Sequence, residues 1–327
     1  MYNIIDIIDL QLFAENTQVT TSEGLSDEMK VYYSDYLIDN AVAKLVHDQF
    51  GQKHPIPKNG GKTIEFRKYS PLPKLLTALT EGVTPDGQSL SVSTVTATVA
   101  QYGGYVTLSD MLLLTAIDNN LVQATKLLGN QAGATLDTIT REVLVGGTNV
   151  IYSGAKSSRD ALSATDVLTV DDIKKAVRAL KNQNAEKIGN SFVAIIHPDV
   201  AYDLTNDPKW EAVKTYCEPS DWYEGEIGRI AGVRFVETTE AKIFAGAGAS
   251  GQSVYATLVL GDNAYGVTEI EGGGLEHIVK QLGSAGTADA LNQRATVGWK
   301  ATKVAERLVE QFMVRIESGC TFSGEAN

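Results

Sequence analysis

Between Asn120 and Val145 the side chains Leu121, Thr125, Leu128, Ala132, Thr135, Leu136, Ile139 and Val143 step by three and four positions. That spacing predicts one long amphipathic helix, stopped by Gly146-Gly147. At about 1.5 Å per residue it would run nearly 40 Å. Gly129 and Gly133 fall four apart inside it. Each glycine costs about 1 kcal/mol against alanine, so close packing of a strand or helix is expected there. An earlier helix is expected from Ser26 as N-cap, with Asp27 and Glu28 at its positive end and Ile38, Ala41, Val42, Leu45 and Val46 at helical spacing. Gly51 and the Pro55–Pro57 pair end it.

The period changes from 51 to 110. Ile64 and Phe66 alternate with polar neighbours, and Pro71, Pro73, Gly82, Pro85 and Gly87 mark turns. A stretch rich in β-branched residues follows, with Val95, Ala97 and Val99 alternating against Thr94, Thr96 and Thr98. Two long strands with a turn-rich tip and few large apolar residues have no core of their own. They read as a projecting hairpin that lies on another subunit. From Asp166 to about Gly286 the pattern is mixed: Asp171 or Asp172 caps a helix with Ile173, Ala176, Val177 and Leu180 inward. FVAIIH is an apolar strand, followed by a turn or short helix after His197-Pro198, and VRFVET, ATLVLGD and LEHIVKQL are further strands. This is a compact α+β arrangement. The chain returns to strands at its end, with Ala295, Val297 and Trp299 alternating, then Phe312, Val314 and Ile316.

Charge refines this picture. The 327 residues carry a net charge of −12, whereas a protein that grips phosphates normally has a basic excess. The charge is also uneven. Residues 1 to 39 hold Asp6, Asp9, Glu15, Glu23, Asp27, Glu28, Asp35 and Asp39 against Lys30. Residues 53 to 74 reverse the sign, with Lys53, Lys58, Lys62, Arg67, Lys68 and Lys74 against Glu65. Such blocks are either two solvated loops or segments that seek opposite charge on a neighbouring copy. On the second reading Lys58, Lys62, Arg67, Lys68, Lys74, Asp27 and Glu28 are candidate contacts between subunits. Cys217 and Cys320 have no paired spacing and are expected to stay reduced. The apolar start MYNIIDIIDLQLFAEN has no basic leader and is interrupted by Asp6 and Asp9. It reads as an arm that docks Ile4, Ile5, Ile8 and Leu12 on protein, and no membrane partner is expected.

Candidate chemistry adds little. Gly246, Gly248 and Gly251 match G-x-G-x-x-G, but a strand-like run follows where the dinucleotide motif needs a helix, so a hairpin loop is expected. Gly60-Gly61-Lys62-Thr63 resembles the end of a P-loop, yet its first glycine would fall at Ile56. His47, His54, His197 and His277 have no metal-ligand spacing, and His197 is expected to shape a turn beside Asp199. Trp210, Trp222 and Tyr223 sit among acids, which suits a core or a subunit contact better than a nucleic-acid groove. No catalytic, cofactor-binding or metal-binding residues are assigned.

Taken in order, several segments resemble the phage N-four-type major capsid family. LQLFAE near the start is common in capsid proteins of phages of Gram-positive hosts. LTEGVTPDGQSL through VTATVAQYGGYVTLSD, the IHPDV turn, YEGEIGRIAGVRFVET and LNQRATVGWK carry the resemblance over roughly residues 50 to 316. It implies an α+β chain with the Hong Kong 97-type capsid fold. The expected parts are an N-terminal arm and helix (1–50), an extended β-hairpin loop (51–110) and a peripheral domain with the spine helix (111–165). An axial domain (166–287) and the return strands of the peripheral domain (288–327) complete it. The implied function is a major capsid protein, not an enzyme. It would self-assemble as hexamers and pentamers into an icosahedral head in the host bacterial cytoplasm, with a portal and a separate scaffolding protein as partners. It would enclose double-stranded DNA without sequence-specific binding. Two alternatives stay open: the shell of a bacterial nanocompartment with the same fold, and, more remotely, a nucleotide-dependent enzyme.

Overall fold

The computed structural model describes residues 17–18, 46–69, 72–78, 81–82, 84, 86–116, 120–210, 229–268, 270–271, 274–284 and 289–322. The helix expected from Ser26 lies almost wholly outside them. In chain order the elements begin with β1 (Thr17–Gln18), β2 (Gln52–Lys53), β3 (Thr63–Tyr69), β4 (Val92–Thr98) and β5 (Ala100–Ser109). Next come α1 (Asp110–Thr115), α2 (Asn120–Val145), β6 (Val150–Tyr152), α3 (Val170–Asn182), β7 (Phe192–Ile196) and α4 (Pro198–Thr205). Strands β8 (Arg229–Ile230), β9 (Val233–Glu237), β10 (Ile243–Phe244) and β11 (Val254–Leu260) follow. The last are β12 (Tyr265–Thr268), β13 (Glu276–Lys280), β14 (Arg294–Arg307) and β15 (Met313–Ser318).

The described residues form two compact units. The first draws on Met1–Ala43, Gln101–Thr135 and Gly273–Thr302, and the second on Lys44–Ala100, Leu136–Gly272 and Lys303–Asn327. In the first unit, β13 runs antiparallel to β14 from Glu276↔Lys300 to Lys280↔Thr296, and β1 lies parallel to β5. Ala295, Val297 and Trp299 are buried, as their alternation requires. Strands β5 and β14 are neighbours that meet at glycines: a Cβ on Gly298 would sit 2.8 Å from Tyr105, and one on Gly103 would sit 2.6 Å from the Trp299 carbonyl. Backbone contact this close is available only to glycine.

The second unit is built on a seven-stranded mixed sheet of order β6-β15-β11-β7-β9-β8, with β10 also paired to β11. Strands β7 and β11 are buried along their whole length, which is why their sequences are continuous apolar runs. Helix α3 presses Ile173, Ala176, Val177 and Leu180 against Phe192, Ala194, Ile196, Val259 and Ile316. Each of the larger of these side chains contributes about 1.5–3 kcal/mol on burial.

Three local expectations change. Thr169, not Asp171 or Asp172, caps α3, its hydroxyl accepting from the Asp172 N–H. The strand expected to continue past Val99 divides there: β4 pairs with β3, whereas β5 lies beside β14. Strand β15 pairs with β11 and β6 in the sheet of the second unit. Finally, a Cβ on Gly129 would meet nothing within 4 Å among the described residues, so none of them packs against it to offset its helical cost.

Candidate functional site

Strands β3 and β4 pair in antiparallel register from Thr63↔Thr98 to Tyr69↔Val92. Along β4 only Ala97 is buried, so the hairpin has almost no interior. Its tip and upper arms instead present apolar groups to solvent. Leu75 and Leu76 are 76% and 89% exposed, and Leu72, Leu90 and Val92 are exposed with them. Five large apolar side chains exposed on so slender an element form a surface that gains free energy only by being covered.

The basic candidates fall on the same element. Lys58, in the turn before the hairpin, Lys62 at its base and Lys74 beyond β3 are exposed. Arg67 lies on β3 with its guanidinium 3.7 Å from the Glu65 carboxylate, both exposed, a pair worth about 0–1 kcal/mol. Lys68 is placed on β3 by its backbone, but its side chain lies outside the described set. Asp27 and Glu28 lie outside the described residues, so the acidic half of the expected contact is not placed.

The hairpin is anchored by a buried polar cluster that the sequence reading missed. The His47 N–H donates to Asp137 Oδ1 at 2.8 Å, and His47 Nδ1 lies 2.6 Å from Asp137 Oδ2. Next to it, Asp48 accepts from the Thr140 hydroxyl at 2.5 Å and from the Lys303 ammonium, which also donates to the Leu136 carbonyl. The Tyr265 hydroxyl donates to the His47 carbonyl, and burial pushes this phenol far above its ordinary range. A usable signal was present. Lys303 is in phase with the inward positions Ala301 and Ala305 of β14, and a lysine placed inward needs an anion.

Beyond the cluster, β2 adds in parallel to β12, and the Glu271 N–H donates to the Ile56 carbonyl at 2.8 Å. Gly51 has no room for a side chain, since a Cβ there would sit 2.5 Å from the Tyr265 ring. Gln52, His54, Phe66, Asn263, Leu308 and Val309 line a cavity of about 610 Å³ at the hairpin root.

The other motifs resolve into local structure. The Gly246 to Gly251 segment joins β10 to β11 and is followed by strand, so it is a hairpin loop. Gly60-Gly61 leads into β3, not into a helix. His197 caps α4, its Nδ1 accepting from the Asp199 N–H at 3.2 Å. Trp210 is buried and packs edge-on to Phe235 with ring centroids 5.5 Å apart, while Trp222 and Tyr223 lie outside the described residues. Among the described residues no group of three or more His, Cys, Asp or Glu could hold a metal ion. No described helix is long and apolar enough to cross a membrane.

The described residues combine a mixed α+β fold with an exposed apolar hairpin. Comparison with solved structures agrees. The capsid of cyanophage P-SCSP1u superposes with a TM-score of 0.68 at 14% identity, over 90% of this chain and 94% of that one. The capsid of Ralstonia phage GP4 gives 0.68 at 16% identity, over 91% and 96%. The capsid asymmetric unit of cyanophage Pam1 gives 0.66 at 16%, over 90% and 94%. At such identities the likeness establishes the α+β fold. No curated protein matches the sequence. A family model described as phage capsid protein matches residues 92–309. The chain belongs to that family: it is a phage capsid protein, a structural component of the virion.

Proposed function

We infer that the subunit assembles with copies of itself, as hexamers and pentamers, into a closed icosahedral shell. The carrying observation is the exposed apolar set Leu72, Leu75, Leu76, Leu90 and Val92 on a hairpin without a core of its own. A patch on one copy that binds a different patch on the next makes rings and closed shells. Each contact can be weak, because in a closed shell every subunit is held several times over.

In this reading the chain is of the N-four type and follows the Hong Kong 97 plan. Residues 1–50 are the arm and 51–110 the extended loop. Residues 111–165 hold the spine helix α2, 166–287 form the axial domain, and 288–327 return to the peripheral domain. A portal and a separate scaffolding protein are the partners, the enclosed cargo is double-stranded DNA held without sequence recognition, and assembly takes place in the host bacterial cytoplasm. The basic set Lys58, Lys62, Arg67, Lys68 and Lys74 steers the hairpin toward acidic segments of neighbours, Asp27 and Glu28 among them.

The test separates contact from folding. Replacing Leu75 and Leu76 with serine leaves the thermal midpoint of the subunit unchanged and abolishes shells seen by electron microscopy. Replacing Lys62, Arg67, Lys68 and Lys74 with glutamine slows assembly and removes its sensitivity to salt, since exposed charges are screened beyond about 10 Å at 0.1 M. Unchanged shells from both variants would contradict the assigned surface.

A further inference from the structure

We propose that the solvent face of α3 is a lumenal surface that touches the phosphates of packaged DNA. The proposal rests on the shell reading and adds which face of the subunit looks inward.

Helix α3 is two-sided. Ile173, Ala176, Val177 and Leu180 point into the core. On the opposite side Lys174, Arg178 and Lys181 are exposed at i, i+4 and i+7, one line about 10 Å long. Lys175 flanks that line, and Lys187 is exposed in the loop that follows the helix. The acids on this element stand mainly at its first turn. Asp171 lies 3.7 Å from Lys174 and also engages Lys209, and Asp172 lies 2.8 Å from Lys175. Among the described residues no carboxylate comes within ion-pair distance of Arg178, Lys181 or Lys187, although Glu186 is an exposed neighbour in sequence.

Like charges three and four residues apart destabilise a helix. Lys181 is offset by the negative end of the helix, in whose last turn it sits. Arg178 has no such local reason. In a chain of net charge −12, Arg178, Lys181 and Lys187, which have no ion-pair partner among the described residues, are therefore suited to an external anion.

The chemistry of the face selects the kind of anion. A protein interface has an apolar centre within a polar rim. Among the described residues, α3 and the loop that follows it to β7 carry no exposed large apolar side chain that could form such a centre. Phosphate contact needs none, being electrostatic and blind to sequence. A few cations per subunit against a strongly acidic chain would touch DNA without gripping it, which leaves the genome free to enter and leave.

The test uses assembled heads, whose closed shells are first established by electron microscopy, so that failure of the shell reading shows separately. A small amine-reactive reagent that enters the shell is applied to DNA-filled heads and to heads emptied by heating. Labelling at Lys181 and Lys187 is read by mass spectrometry. Severalfold lower labelling in filled heads, rising when DNA leaves, is the expected result. Equal labelling in both states, or protection in both as a protein contact would give, overturns the proposal. In a second arm, heads of an Arg178→Gln, Lys181→Gln, Lys187→Gln variant release their DNA at a lower temperature than unsubstituted heads. An unchanged release temperature overturns it. If that variant forms no heads, the labelling comparison on unsubstituted heads still decides.

Discussion

His47 and Asp137, 90 positions apart in sequence, meet as a fully buried pair with Nδ1 2.6 Å from Oδ2. The carboxylate takes a second bond from the His47 N–H, so one aspartate fixes both the backbone and the ring of the residue that leads into the hairpin. Removing it leaves the buried His47 N–H and ring nitrogen without their partner, and a buried polar group left unpaired costs about 1–3 kcal/mol. Asp137→Ala is expected to lower the stability of the unassembled subunit by that amount, and Asp137→Asn, which keeps an acceptor, by less. Urea titration checks this, and a change below about 1 kcal/mol for the alanine variant contradicts it.

The cap of α4 gives a pH dependence. Burial holds the His197 imidazole below its ordinary value, although the Asp199 charge pulls the other way. Its Nδ1 accepts from the Asp199 N–H, which only the unprotonated nitrogen can do. The native state therefore favours neutral His197. The contribution is complete above the unfolded value of about 6.5 and is lost as pH falls through the lower folded value. Stability measured from pH 8 down to pH 5 should fall less steeply in His197→Asn, which keeps a capping acceptor that does not titrate. Identical slopes would remove His197 from the account.

Cys320 is buried, and burial pushes its thiol up to about 12. At pH 8 only about one such thiol in ten thousand is ionised, and the thiolate is the reactive form. Iodoacetamide at pH 8 should leave Cys320 unmodified in the native subunit and modify it fully in denaturant, as mapped by mass spectrometry. Ready modification of native Cys320 contradicts its placement.

Helix α2 was legible because its stripe persists over many turns and ends at a glycine pair, and β7 and β11 were legible because strands buried on both faces leave unbroken apolar runs. The division at Val99 was not, since β4 and β5 share one alternating pattern and differ only in which strand lies beside them. Thr169 was overlooked as a cap because two aspartates just beyond it carry the same signature. The His47, Asp48, Asp137 and Lys303 cluster draws on three distant segments, and sequence spacing does not report a pairing made only by the tertiary fold. Of the proposed assembly surface, the basic hairpin was visible as a charge block. Leu72, Leu75, Leu76 and Leu90 were not singled out, because their exposure is set by the tertiary fold and not by their apolar character.

The most direct test is electron microscopy of the purified full-length chain, alone and co-expressed with a scaffolding partner, alongside size-exclusion chromatography. The account predicts rings, tubes or closed shells in the megadalton range. A clean monomer or dimer in both preparations would contradict it.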